Sequence, residues 1–178
     1  MNNELTDYLE QNSSQIPDPT PHGSLIEDVI KNLHILGING PANSYREVRL
    51  IENGRYLGAV DIAVQAGTDF YVIEAKTVSN MPSYGNKSLR HRKKMGRKLA
   101  HRQLNWDAEF FMRNFSVVPK RVRVIRYLGE SGFVHKQLDG AIKTDYREAF
   151  PGNRAMQISS GQTEASNQHA GYSNSASQ

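Results

Sequence analysis

Gly58–Lys76, GAVDIAVQAGTDFYVIEAK, reads as two strands joined by a tight turn, and the rest of the chain arranges itself around them. Val60, Ile62 and Val64 alternate on the first strand, and Phe70 to Ile73 is the β-rich run of the second. Ala66-Gly67-Thr68-Asp69 between them has turn chemistry. With those residues as the loop, Gln65 pairs with Phe70, Val64 with Tyr71, and Asp61 comes opposite Glu74. Lys76 then falls opposite Ala59 on the same face, because side chains repeat every second residue. Carboxylates directly across a strand pair repel and destabilise a sheet by about 0.2–1 kcal/mol. A cation between them removes that penalty, and an ammonium further along the same face suits the same task. Asp61, Glu74 and Lys76 therefore form a candidate metal site. The plainer alternative makes Glu74 and Lys76 solvent-facing strand positions and Asp61 a chance neighbour.

The chain has 178 residues, enough for one domain with a real core plus tails. Its 38% hydrophobic content is low, which implies that part of the length does not fold. The absence of cysteine excludes disulfides, zinc–thiolate sites and cysteine nucleophiles. No apolar run approaches the roughly 20 residues that span a bilayer, and the N-terminus MNNELTDYLEQ lacks a signal-peptide pattern. The expectation is an intracellular protein, cytoplasmic or nucleoid-associated, with no membrane partner.

Residues 1–22 are polar, with Pro17, Pro19 and Pro21 close together, and read as a flexible arm with at most a short helical turn at Glu4–Gln11. The folded domain is expected over 23–150. Ser24 precedes an apolar pattern at helical spacing that Gly37 stops, and Ser24 with Glu27 has capping-box form. Glu27 is then either the reciprocal cap or a carboxylate delivered to the sheet's active edge. Tyr45–Leu57 is a hairpin around Asn53-Gly54, a type I′ signal. A two-residue turn there pairs Ile51 with Tyr56 and puts Arg46 opposite Asp61, with Glu47 on the other face.

After Lys76 the character changes. Residues 78–84 read as a loop at the edge of the site. Lys87–Arg102, KSLRHRKKMGRKLAHR, holds eight Lys or Arg and two His, and no acid occurs between Glu74 and Asp107. A solvated helix face usually mixes signs, so this run calls for a negatively charged partner, and nucleic-acid phosphates are the natural one. Lys87, Arg90, Arg92, Lys93, Lys94, Arg97, Lys98 and Arg102 are the candidate contacts; the alternative is a flexible basic loop. The run continues as a helix through Phe115, with Met95, Leu99, Gln103, Trp106 and Phe110 on one stripe. Gln103 within that stripe either caps neighbouring backbone or reaches into a polar site. Trp106 reads as core. Val117–Leu128 is a strand with Val122 and Val124 on a buried face and Arg121, Arg123 and Arg126 giving a basic one. Phe133–Leu138 suggests a short further strand, Asp145–Phe150 a helical turn, and 151–178 a disordered tail.

These features resemble the PD-(D/E)XK, or restriction-endonuclease-like, nuclease superfamily. The resemblance rests on Asp61 in VDIAV and Glu74-Ala75-Lys76 in VIEAK on consecutive strands, and covers about residues 24–128. It implies an α/β fold with a small mixed central sheet flanked by helices, in the order αβββαβ. It implies that Asp61 and Glu74 bind a divalent metal with the Ala75 carbonyl, and that Lys76 aligns or polarises the attacking water. Glu27 matches a first-helix acid that some members use. Gln103 is similar to the glutamine of RecB-type and junction-resolving members. Val60 rather than proline precedes Asp61, and no tyrosine follows Gln103 at helical spacing. Many members cut as dimers, so a homodimer belongs to this expectation, although no dimer seam is legible.

The chemistry agrees with the family. Hard oxygen ligands select Mg²⁺ or Mn²⁺, which lower the pKa of bound water. Asp61 and Glu74 supply such ligands without filling the coordination shell. The expected activity is metal-dependent hydrolysis of DNA phosphodiesters by an endonuclease of recombination, repair or mobile-element processing. Two alternatives are a non-catalytic nucleic-acid-binding protein on the same fold and an RNA-directed endonuclease. The latter, as in cap-snatching relatives, places a histidine on the first helix, where His34 lies two turns from Glu27.

Overall fold

The computed structural model describes residues 3–78, 89–127 and 131–140. The chain is a mixed α/β protein whose five-stranded sheet has helices packed against it. The elements run α1 (Asn3–Asn12), α2 (Pro21–Lys31), a 3-10 turn (Leu33–Leu36), β1 (Ala42–Glu52), β2 (Arg55–Ala66), β3 (Asp69–Val78), α3 (Leu89–Phe115), β4 (Lys120–Tyr127) and β5 (Val134–Leu138). The strands lie side by side in chain order, antiparallel except for the parallel pair β3–β4, which α3 connects. The helix, three-strand, helix, strand order expected from the sequence is present, with α1 and β5 added. Among the described residues no helix is long and apolar enough to cross a membrane.

Two packed faces make β3 the central strand, buried along most of its length, as strands covered on both sides are. On one face Leu25, Ile26 and Val29 of α2 meet Ile62, Val64, Tyr71, Ile73, Ala75, Val122 and Val124. On the other, α3 lies across the sheet, with the Phe111 ring edge-on to Phe70 at 4.8 Å. Among its described side chains the first buried one is Ala100, whereas Met95 and Leu99 are 40% and 53% exposed. The apolar stripe expected to start at Met95 is therefore shorter; ahead of Ala100 the helix meets the sheet through Gly96, where a Cβ would lie 3.3 Å from the Val78 side chain, and through Lys93 over the Tyr127 ring.

Several expectations change. Residues 3–12 are a helix rather than a flexible arm, because Leu5 and Leu9 are buried and Tyr8 stacks near Phe115 at 4.9 Å. The Tyr8 hydroxyl also donates to the Arg49 carbonyl and accepts from Ile51 N–H, both at 2.8 Å, which covers the outer edge of β1. Helix α2 begins at Pro21, with Thr20 as its cap, so Ser24 lies inside it and makes no capping box. Thr20 Oγ1 accepts from Gly23 N–H at 3.2 Å. A Cβ on residue 23 would lie 2.0 Å from the Asp18 carbonyl oxygen, so the tight entry into α2 requires glycine.

The Asn53-Gly54 turn has φ 52° and 74°, as type I′ demands, and Ile51 pairs with Tyr56 as expected. A bulge between Leu50 and Ile51 then moves the register by one, so Arg46 faces Ile62 and not Asp61. Glu47 has φ 47°, and the buried positions switch across it from Tyr45 to Val48 and Leu50. The arginine face of β4 is not open to solvent: Arg121 is buried, donating to Asn105 Oδ1 and, at 2.6 Å, to the Gly140 carbonyl. Arg126 does not share that face: it lies on the side of Val122 and Val124 and pairs with Asp28 of α2 at 2.5 Å. The extra strand after Phe133 is β5. Lys87, the loop 79–84, the turn expected at 145–150 and the tail 151–178 lie outside the described residues.

Candidate active site

The β2–β3 ladder follows the expected register from Ala66–Asp69 to Ile62–Ile73 and stops there. The next pair would have been Asp61 and Glu74. Instead the strands part. The Asp61 side chain takes over from the backbone, Oδ2 accepting the Ala75 N–H at 2.8 Å. β3 continues against β4 alone, with Glu74 beside Arg123 and Lys76 beside Ile125. The result is a fork whose two prongs carry Asp61 on one side and Glu74 with Lys76 on the other.

Helix α3 bridges the open end of the fork. Gln103 Nε2 donates to the Ala59 carbonyl of β2, and Lys76 Nζ of β3 donates to Gln103 Oε1, both at 3.4 Å. This is why an amide sits on the inner side of α3: it joins two strands that no longer bond each other. Lys76 also forms an ion pair with Glu74 Oε1. From α2, His22 Nε2 lies 3.3 Å from Asp61 Oδ1. One turn beyond Gln103, Asp107 enters the same electrostatic group.

Burial decides how these groups behave. Glu74 is fully buried and Asp107 is 1% exposed. Among the described residues, Glu74 Oε2 and both Asp107 oxygens lack a hydrogen-bond partner. Desolvation, reinforced by Asp61 and Asp107, holds the Glu74 carboxyl well above its ordinary range against the pull of Lys76. Desolvation and Asp61 do the same to Asp107. Burial would lower Lys76, but Glu74, Asp61 and Asp107 outweigh it and raise the ammonium. The bond to Asp61 raises His22.

Asp61, Glu74, Lys76 and Gln103 are thus brought together as the sequence suggested. Glu27 is not: it pairs with Arg46 of β1 at 2.8 Å. His34 shows no such link to the group. His22 and Asp107 are the members that sequence reasoning missed. Pro21 after Thr20 was the overlooked start signal for the helix bearing His22. The four-residue spacing from Gln103 was the available signal for Asp107.

Among the described residues no three His, Asp or Glu side chains close on one point as a ready-made metal cluster. The residues still fit a hard divalent cation: Asp61 and Glu74 offer carboxylate oxygens, and Glu74 is buried with its Oε2 unpartnered among the described residues. Of the basic run, Lys94, Arg97 and Lys98 are exposed or nearly so, Lys93 lies over the Tyr127 ring at 4.0 Å, and Arg102 is half-buried. Arg90 and Arg92 lie in α3, with side chains outside the described residues.

No family model matches the chain, and no curated protein does. One solved structure, titled "Crystal structure of SSO0001", is similar over 79% of this chain at 16% identity and a TM-score of 0.32. The match spans 61% of that structure's own length.

Proposed function

We propose that this chain is a divalent-metal-dependent nuclease that hydrolyses DNA phosphodiester bonds, on a restriction-endonuclease-like core. The observation that carries the reading is the convergence of Asp61, Glu74, Lys76 and Gln103 where β2 and β3 part. The αβββαβ order, with one parallel pair made by the α3 crossover, supports the fold assignment.

Asp61 and Glu74, with the Ala75 carbonyl, would hold Mg²⁺ or Mn²⁺. Such an ion supplies a water of lowered pKa and neutralises charge building on phosphate oxygens. The protein's own part is placement. The Ala75 N–H fixes Asp61, and Gln103 ties Lys76 to β2 so that the ammonium stays at the mouth of the fork. Held there, Lys76 can orient water and stabilise negative charge on the phosphoryl oxygens, a preorganised effect worth about 10²–10³ in rate. The exposed cations of α3 would bind flanking phosphates, which gives sequence-tolerant affinity.

The test is incubation of the full chain with plasmid, linear duplex, single-stranded DNA and single-stranded RNA, in Mg²⁺, Mn²⁺ or EDTA. Metal-dependent DNA cleavage is expected, lost by at least about 10²-fold in Asp61→Ala and Lys76→Ala. Cleavage that survives both substitutions overturns the reading. So does nucleic-acid binding without turnover in any metal, which would make the chain a binding protein. Cleavage confined to RNA would overturn the DNA assignment.

A further inference from the structure

We propose that Asp107, from behind the ligands, supplies the divalent-cation site with a buried negative charge that sets its affinity. The inference rests on the metal-dependent reading above and adds a residue to it.

Asp107 sits on α3 between Trp106 and Ala108, both buried, at a position where an apolar side chain would pack without cost. It is instead an acid, 1% exposed, with neither oxygen hydrogen-bonded among the described residues. Its electrostatic neighbours are Asp61, Glu74 and Lys76. Lys76 pairs with Glu74 and bonds Gln103, and one turn along α3 from Gln103 the buried charge of Asp107 acts on the same groups without closing a ligand cluster with them. With His22 neutral and the three carboxyls ionised, as a bound dication would favour, three negative charges would balance the ion and the ammonium of Lys76. Even with His22 protonated, the acids outnumber the cations. A buried acid that nothing in the fold neutralises is a poor structural element, because burial of unpaired charge is costly and an apolar residue of similar size is not. It is a good way to hold a dication, whose full charge then meets an already negative site. Gln103 and Asp107, four residues apart, also face the same way, so α3 supplies both the bridge across the fork and the charge behind it.

The experiment uses the metal-free full chain and Mn²⁺ alone, with no nucleic acid. Mn²⁺ binding is titrated calorimetrically and by the resonance of free Mn²⁺, for wild type and Asp107→Asn. Melting temperatures are taken in EDTA and in saturating Mn²⁺. Asn is nearly isosteric and removes the charge, exchanging one acceptor oxygen for an amide donor. Asp107→Asn is expected to bind Mn²⁺ about 10–100-fold more weakly. Its metal-induced rise in melting temperature should shrink, and in EDTA it should melt no lower than wild type. Equal Mn²⁺ affinity in the two proteins overturns the proposal and leaves the nuclease reading standing. An Asp107→Asn protein that is unfolded, or melts well below wild type in EDTA, also overturns it, since Asp107 would then be a structural carboxyl. A wild type that binds no Mn²⁺ takes the nuclease reading down as well.

Discussion

Glu74 and Asp107 hold their protons more tightly than exposed acids do, since water is excluded from both and Asp61 repels their ionised forms. His22 is also raised, by its bond to Asp61, although burial opposes that. All three shifts act in one direction. Each group binds its proton better folded than unfolded, so the unfolded chain releases it first and stability falls as pH rises through this range. Metal-free protein should therefore lose melting temperature between about pH 5 and pH 8. The combined Glu74→Gln and Asp107→Asn variant should show a flatter profile, and thermal melts in EDTA would reveal it. A wild-type curve that is flat, or rises, would contradict the buried acids. Gln103 allows a separate test. Gln103→Ala leaves Lys76 paired with Glu74 but cuts its tie to β2. Cleavage should drop by about 10²-fold from misplacement alone, with nucleic-acid affinity unchanged; a matching loss of affinity would mean that Gln103 touches substrate. Asp61, Glu74 and Lys76 could be read from the sequence because strand alternation fixes their faces. Asp107 offered only its four-residue spacing from Gln103, a signal masked by its neighbours Trp106 and Ala108, which give the local pattern of a plain core helix.

Helix α1 shows how an element can fold without declaring itself. Its sequence, NELTDYLEQN, offers only Leu5, Tyr8 and Leu9 as apolar residues, too few for a ten-residue helix to persist by itself. Tertiary partners decide the outcome: the buried leucines, the Tyr8 hydroxyl on the edge of β1, and a Thr6–Gln65 bond at 3.1 Å. Leu9→Ala should therefore cost about 2–5 kcal/mol in urea unfolding, as for any fully buried leucine. No measurable change would restore the flexible arm. The hairpin turn, the core of β3 and the end of α3 at Phe115 were legible because turn chemistry and periodicity are local signals. The one-residue shift at Leu50/Ile51 was not, since a bulge adds a residue to one strand without altering either strand's composition. The start of α2 was missed for a different reason. Two cap signals competed, and Thr20 with Pro21 prevailed because Gly23 lets the chain pass against the Asp18 carbonyl.

Charge is distributed unevenly over the molecule as a whole. The fork concentrates acids, whereas the outer face of α3 presents Lys94, Arg97 and Lys98 to solvent. His101 shows that cations from several elements crowd together there. Partial burial lowers its pKa, and Arg121, Arg123 and Lys136 lower it further, so cations of β4 and β5 act on the same helix. The exposed cations pack against little, so reversing them should leave the fold intact while removing attraction for a polyanion. Reversal of Lys94, Arg97 and Lys98 to Glu should weaken duplex DNA binding at low salt. It should also flatten the plot of log affinity against log salt by about 0.9 for each phosphate that is no longer neutralised. Phosphates carry no sequence information, so duplexes of unrelated sequence should lose affinity equally. A reversal that spares affinity and slope would show that this face of α3 does not meet nucleic acid. A loss confined to one sequence would instead place base recognition on the helix, with Arg97 or a lysine reading guanine edges in the major groove.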